Sequence, residues 1–190
     1  MDTCYDGGAR TFYQTIGQNL GYLDRSQVGL SIVYWEINKG EIQNIIIINS
    51  LGKLTDKELT SVLQLTSGNW MVKESINKYY LPIKFQDFYD FYVDPLPSNY
   101  LDEVVVKKYG GPSVKTDEEL ITKLNQSIDK GKFKSAISNL DKIIQRNPLN
   151  QQLRETRIYC YQQLNLDEGA CQEIDFIKNY LHKNSKYNCK

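Results

Sequence analysis

Four cysteines and one histidine are the residues of this chain best suited to a zinc site or to an activated nucleophile with its base. No two cysteines have the Cys-x-x-Cys spacing of zinc or dithiol sites, and a single histidine excludes a two-histidine metal site. A Ser-His-Asp triad would depend on His182. A Cys-His pair would have to use Cys171, which we expect at a helix-packing position where cysteines are usually inert. The sequence therefore gives little support to metal or nucleophilic chemistry.

Phosphate-binding glycine motifs do not occur in the sequence either. Neither the P-loop pattern nor G-x-G-x-x-G is present, and the glycine pairs at 7–8 and 110–111 are typical of turns. Two of the 23 acidic residues could still converge, which leaves an enzyme with an acid site as the minor alternative. We predict a protein that is not an enzyme and uses no cofactor or metal.

The charge balance limits the possible partners. Lys plus Arg and Asp plus Glu number 23 each, and the sequence pI is about 6.6. Nucleic-acid binding needs a positive field, so we expect no nucleic-acid partner. No stretch approaches the ~18 apolar residues of a membrane span. Met1 leads directly into "DTCYDGG", so export would require a targeting segment that this sequence does not show.

The first 86 residues predict the element order α-β-β-α-β. The spacing of Phe12, Ile16 and Leu20 predicts a helix over 9–23. Residues 28–49 alternate and turn at "NKGE", which predicts a β-hairpin whose second strand contains four consecutive isoleucines.

The second predicted helix lies over 54–66. Thr55 and Glu58 have the spacing of a capping box, and Leu54 and Leu59 that of a hydrophobic staple. Leu59 then continues into an apolar stripe with Val62 and Leu63, while Trp70 should belong to the core.

The segment "KYYLPIKFQ" predicts the third strand. Tyr79, Leu81, Ile83 and Phe85 alternate onto one face, and Tyr80 lies on the other. Pro82 cannot donate to a ladder, which favours an edge position or a bulge, and we expect this strand at an edge of an antiparallel sheet. The two helices should cover one face of the sheet. The protein's own later segments should cover the other face, or else a partner or a second copy docks there.

Residues 87–115 predict a connector, because prolines and glycines interrupt its aromatic residues. Beyond it the sequence is helical with a repeat of 34 residues, since Asp117 and Gln151 begin matching patterns (151 − 117 = 34). Position 15 of each repeat needs a residue that tolerates left-handed backbone, and position 20 needs a small one. Gly131 and Asn165 stand at position 15, and Ala136 and Ala170 stand at position 20. Thr116 and Glu119 should form a capping box.

The second half also offers a candidate groove and a candidate disulfide. One face of the first helix of each repeat would line the groove: Glu118, Ile121, Asn125 and Ile128, then Gln152, Glu155, Tyr159 and Gln162. Cys160 and Cys171 fall on facing helices, and a bond between them would contribute about 3 kcal/mol. The alternative is a pair of reduced cysteines in the cytosol. Cys4 and Cys189 could pair only if the chain termini meet.

The first half resembles the C-terminal domain of TonB, in the form found in exported proteins of the Bacteroidetes type. The resemblance covers residues 7–86 and rests on "GGARTFYQTIGQNLGYL", "GLSIVYWEINKGEIQNIIIINSLG", "LTDKELTSVLQLTSGNW" and "YYLPIKF". It implies a periplasmic or exported domain whose last strand, here Tyr79–Phe85, pairs with an extended peptide. "GYL" stands where "YP" is typical, and no anchor or proline-rich spacer precedes the domain, so energy transduction is not expected.

Residues 116–184 resemble two tetratricopeptide repeats. The sequence thus predicts an α+β domain, a connector and an all-α domain that together bind a protein or an extended peptide. The predicted contact residues are Tyr79, Tyr80, Leu81, Ile83, Phe85 and Tyr159, and a homodimer is possible. The competing prediction is a cytosolic scaffold or regulatory protein.

Overall fold

The computed structural model describes residues 4–21, 28–72, 75–87, 90–107 and 115–189. Its described residues form a four-stranded mixed sheet and six helices, an α+β fold. In chain order these are α1 (Gly8–Asn19), β1 (Gly29–Asn38), β2 (Glu41–Ile47), α2 (Lys53–Gln64), β3 (Asn77–Gln86), β4 (Val104–Lys107), α3 (Asp117–Asp129), α4 (Phe133–Arg146), α5 (Gln151–Gln163) and α6 (Asp167–Tyr180).

Internal contacts divide the chain into two compact units. The sheet unit contains Met1–Asp90 and Pro95–Val114, and the helical unit contains Phe91–Asp94 and Lys115–Lys190. The stretch that the sequence predicts as a connector is therefore shared between the units and contributes β4 to the sheet.

The sheet has the strand order β2-β1-β3-β4. β1 runs antiparallel to β2 and β3, whereas β4 runs parallel to β3, so the sheet is mixed and not purely antiparallel. The β1–β2 hairpin is confirmed. Lys39 and Gly40 form its two-residue turn with φ angles of 52° and 85°, the left-handed values that such a turn requires.

The sheet-unit core lies between α1, α2 and one face of the sheet. Trp35 is fully buried there, stacked against Phe12 and Tyr79. Trp70 belongs to the same aromatic cluster, as predicted. The predicted stripe on α2 is confirmed, because Leu59, Val62 and Leu63 are all buried in this core. Burial of such rings and branched side chains removes large apolar areas from water and stabilises this unit.

The predicted start of the second helix is wrong. α2 begins at Lys53, with Gly52 as N-cap at φ 124°, and Thr55 is buried inside the first turn. Leu54 is 61% exposed and forms no staple. Glu58 accepts a hydrogen bond from the Gly21 amide at 2.6 Å, so its carboxylate serves the end of a neighbouring segment and not its own helix.

The predicted helix over 9–23 is shorter than expected. α1 ends at Asn19, because Leu20 has extended backbone angles. Residues 22 and 23 lie outside the described part of the chain.

The helical unit consists of two helix–turn–helix pairs whose bounds recur after 34 residues, from 117 to 151 and from 133 to 167. Thr116 and Glu119 form the predicted capping box. Gly131 and Asn165 occupy the turns with φ angles of 64° and 54°, as the sequence predicts for position 15. Ala136 and Ala170 are buried.

Candidate functional site

The third strand is not an edge strand, so this prediction is wrong. β3 pairs with β1 from Asn77 to Phe85, and its last four residues pair with β4. The Leu101 amide also donates to the Tyr80 carbonyl at 2.8 Å. The "VVVK" run of the expected connector thus occupies the Ile83–Phe85 part of the edge that was predicted to receive a peptide.

The predicted contact residues of β3 face the interior. The side chains of Tyr79, Leu81, Ile83 and Phe85 are buried in the sheet-unit core. Tyr80 lies on the opposite face, half-buried between the rings of Tyr34 and Tyr100 at centroid distances of 5.0 and 4.7 Å. Tyr100 belongs to the expected connector, which therefore covers part of this face as predicted.

Pro82 is compatible with an interior strand because of where it falls. The parallel ladder with β4 begins at Ile83, one residue later, so no β4 residue is paired with the proline. Proline lacks an amide hydrogen, so it fits in a strand where no neighbouring strand needs that donor.

The open edge of the sheet is β2. Within the described ranges, no strand pairs with its outer side. β4 forms the other edge, but it is only four residues long and is followed by residues outside the described part. Short edge strands are a common protection against strand pairing, whereas β2 has seven residues.

The first part of the β2 edge is closed by a neighbouring loop. The Ile42 amide, which points away from β1, donates to the Ser67 hydroxyl at 3.0 Å. That hydroxyl donates to Glu41 at 2.6 Å, and the Gly68 amide donates to the Gly40 carbonyl at 3.1 Å. No outward donor is left for a partner at Ile42.

A β-bulge separates this closed part from the rest of β2. The pairing register shifts between Tyr34 and Glu36, and Asn44 adopts a φ of 51° opposite the shift. Glu36 accepts hydrogen bonds from the Tyr34 hydroxyl and from Asn44 Nδ2, the latter at 2.6 Å. These bonds, from Tyr34 first and Asn44 second, hold the pKa of Glu36 below its ordinary value. The bulge twists the edge and limits a pairing partner to the residues beyond it.

Ile45–Ile47, which begin in the bulge and continue beyond it, form what we call the isoleucine edge. The Ile48 amide donates to the Ile32 carbonyl at 2.8 Å, and Ile46 is the residue opposite Tyr34. Because amides alternate along an antiparallel strand, the Ile46 amide faces β1 and the Ile47 amide faces outward. The Ile46 side chain is 45% exposed on the face opposite the helices, whereas Ile45 and Ile47 pack partly against the core.

The isoleucine edge was not among the predicted contact residues. The sequence nevertheless indicates an unprotected edge strand, because no lysine or proline interrupts the run of four isoleucines. Such charges and prolines are the usual protection of an edge strand.

The predicted groove residues of the helical unit are mostly exposed or half-buried. Tyr159 is 36% exposed and meets the Phe133 ring edge-on at 5.8 Å, and Ile121 is 44% exposed. Glu155 is already engaged by residues near the C-terminus, since it accepts from the Lys186 amide at 3.3 Å. A role of these residues in partner binding stays a prediction.

The predicted Cys160–Cys171 bond is wrong. Cys171 is bonded to Cys189, and Cys160 is a free, buried thiol whose pKa is raised by that burial. Cys160 packs into a cluster with residues of α3 and α4, among them Leu140 and Ile144. It therefore faces α4 and not α6, which carries Cys171. The bond also removes Cys171 as a candidate nucleophile.

A buried charge network joins α4, α5 and α6. Glu173 accepts from Arg154 at 2.8 Å and also from Arg157, which donates to Asp141 at 2.7 Å. Arg154 also donates to the Pro148 carbonyl and lies over the Phe176 ring. Burial lowers the pKa of Arg154 to about 10 although Glu173 opposes this shift. The network thus connects three helices of the helical unit through buried, hydrogen-bonded charges.

Metal and ligand sites receive no support within the part of the chain that the structure describes. No group of three or more His, Cys, Asp or Glu side chains there could hold a metal ion. An apolar pocket between α1, α2 and the sheet is lined only by aliphatic side chains, among them Ile16, Leu59 and Leu81. Its lining offers no polar group to orient a substrate.

None of the described helices is long and apolar enough to cross a membrane. Comparison with protein-family models, with curated proteins and with solved structures gave no match to this chain.

Proposed function

We propose that the protein is a non-catalytic protein–protein interaction module that binds an extended partner segment by strand addition at the isoleucine edge. The observation that carries the proposal is the outward-facing Ile47 amide beside an exposed Ile46 side chain. Strand addition uses such backbone groups for affinity and the side chains beside them for specificity.

The surroundings of the isoleucine edge define the partner. The bulge at Asn44 and the Ser67 contact close the edge on one side, so the paired segment is short. Ile46 favours a β-branched or aromatic residue next to it, because such cross-strand pairs stabilise a sheet. Glu41, at the closed end, is the only charged residue of β2, so the partner segment needs no charge opposite the isoleucines.

We further propose that the chain works in the periplasm or another exported space, as a TonB C-terminal-like domain with two tetratricopeptide-like repeats. The order α1-β1-β2-α2-β3 and the 34-residue recurrence of the helix bounds support this architecture. The Cys171–Cys189 bond supports an oxidising compartment, because disulfides rarely persist in the cytosol. A cytosolic scaffold would contain four free thiols, which a thiol count on the denatured, non-reduced protein would detect.

Selection of extended peptides from a displayed library tests the binding surface directly. Peptides selected on the wild-type chain would be measured against Ile46→Lys and Ile47→Pro. The first adds a charge beside the edge, and the second removes the outward amide, which β1 does not use. We expect each variant to weaken binding at least about tenfold, the equivalent of one lost hydrogen bond or apolar contact.

Val105→Lys is the matched control. Val105 is 44% exposed on β4, so this substitution introduces the same charge at the other edge of the sheet. It should bind selected peptides as the wild type does. Tryptophan fluorescence verifies folding, since Trp35 and Trp70 both lie in the sheet-unit core. Equal binding by all four proteins would refute the proposed edge.

A further inference from the structure

The chain after α6 folds back over the helical unit. Residues 181–189, here called the tail, have no regular secondary structure and lie against α5 and α6. Gln151 Nε2 donates to the Asn184 carbonyl at 3.1 Å, and the Lys186 amide donates to Glu155 at 3.3 Å. Tyr187 packs against the cluster of Ile158, Ala170 and Ile177. The tail therefore occupies the surface formed by α5 and α6.

The contacts that hold the tail without covalent bonds are few. The Lys186 ammonium lies 3.7 Å from Glu155, but its side chain is 64% exposed, so solvent screens this pair. The two hydrogen bonds between the tail backbone and α5 are longer than the most common N–H···O distance, at 3.1 and 3.3 Å. Tyr187 is the one tail residue beyond Leu181 that belongs to the apolar cluster.

A disulfide closes the tail onto α6. Cys171 and Cys189 are 18 residues apart in sequence, and their Cα atoms are 5.1 Å apart. Cys189 is exposed and Cys171 half-buried, so a thiol reductant can reach the bond from the tail side. The bond fixes the far end of the tail, so its loss leaves the tail attached through residue 181 and held only by the weak contacts above.

We propose that the α5–α6 surface is a second peptide-binding surface, that the protein's own tail is its resident occupant, and that the Cys171–Cys189 bond controls access to it. A dithiol reductant supplies two electrons and two protons, leaving two cysteine thiols and an oxidised reductant. The tail then exchanges with an extended partner segment of the same chemistry, in which a lysine precedes a tyrosine. The lysine pairs with Glu155, and the tyrosine ring packs against Ile158 and Ile177. This inference concerns the helical unit and does not depend on the isoleucine edge.

A labelled peptide with the sequence of residues 181–189, its cysteine replaced by serine, is the probe. Its binding would be measured by fluorescence anisotropy on the oxidised wild type, the reduced wild type, Cys189→Ser and the double variant Tyr187→Ala/Cys189→Ser. We expect no binding to the oxidised chain and weak binding to the reduced chain and Cys189→Ser, whose own tail still competes. The double variant, whose tail has lost its apolar anchor, should bind at least about tenfold more tightly than Cys189→Ser.

A peptide in which the tyrosine is replaced by alanine is the matched control and should lose at least about tenfold in affinity. Proteolysis gives an independent readout, because cleavage after Lys183 and Lys186 should accelerate at least about tenfold on reduction as the tail opens. Equal peptide binding to oxidised and double-variant chains, or unchanged cleavage on reduction, would overturn the proposal. Self-association of the reduced chain at micromolar concentration in sedimentation would overturn it too, because the occupant would then be a second copy.

Discussion

Replacing Glu173 by glutamine tests whether the buried charge network holds the helical unit together. Glu173 is the carboxylate shared by Arg154 and Arg157, and its side chain is only 10% exposed. Glutamine has nearly the same shape but no charge, and its amide can accept from only one of the two arginines. Its NH₂ group would face the N–H groups of the other guanidinium, donor against donor.

The expected cost follows from the burial of the two arginines. Burial lowers the pKa of Arg154 to about 10 although Glu173 opposes this shift, whereas Glu173 and Asp141 together raise the pKa of Arg157 in spite of its burial. Removing one partner of a buried ion pair costs about 3–5 kcal/mol, because the remaining charge is left uncompensated. Asp141 still pairs with Arg157 but is half exposed, so we expect a loss near the lower end, about 3 kcal/mol.

Urea unfolding followed by two signals measures this loss. Far-ultraviolet circular dichroism reports mainly the helical unit, which contains four of the six helices described, and tryptophan fluorescence reports the sheet unit. With a slope of about 1.5 kcal/mol per molar urea, a loss of about 3 kcal/mol moves the circular-dichroism midpoint by about 2 M.

Asp175→Asn, at an exposed position on the same helix, is the matched control for Glu173→Gln because it removes the same charge. It should change the stability by less than about 0.5 kcal/mol. A Glu173→Gln midpoint within the error of that control would refute the reasoning.

Three further outcomes follow from the sheet unit. Leu81→Asp should lower the free energy of unfolding of this unit, measured with urea, by more than about 4 kcal/mol, because Leu81 is buried in the core and not at an edge. Near wild-type stability would contradict the strand order. Asn44→Ala should raise the pKa of Glu36 in a carboxyl NMR titration, and an unchanged pKa would exclude the hydrogen bond from Asn44. In the wild type, the stabilisation from Glu36 should be lost as the pH falls through its lowered pKa. Burial, and then the contact with Cys4, raise the pKa of Tyr79 to about 12, so its phenolate should form near this pH in absorbance titrations, and stability should fall as the pH rises from 10.0 towards 12; ionisation with the exposed tyrosines would contradict the packing.

Local patterns in the sequence predict much of both units. Gly40 predicts the hairpin turn, and the spacing of Asp117 and Gln151 predicts where two helix pairs begin. Each of these features is determined by backbone conformation or apolar spacing within a few residues. The capping box at Thr116 is of the same kind.

Apart from the start of α2, where Gly52 and not Thr55 is the N-cap, the wrong predictions concern pairings that are distant in sequence. The three valines of β4 favour a strand, but nothing within this four-residue run indicates its pairing partner, which lies about 20 residues earlier. Pro82 indicated an edge, but only the register of β4 shows that the proline precedes the ladder. Cys160 and Cys171 have suitable spacing, yet the face of α5 that carries Cys160 packs against the preceding helix pair. Because β4 covers part of β3, the candidate binding edge is β2 and not the predicted β3.

Amide hydrogen exchange at consecutive residues of β2 tests most directly whether the isoleucine edge is open. The Ile46 amide faces β1 and should be protected, whereas the Ile47 amide faces outward and should exchange at least about 100-fold faster in the free protein. Addition of a selected peptide should slow exchange at Ile47 and leave the amides of β3 unchanged. Strong protection of Ile47 in the free monomer, or peptide-induced protection confined to β3, would contradict the account.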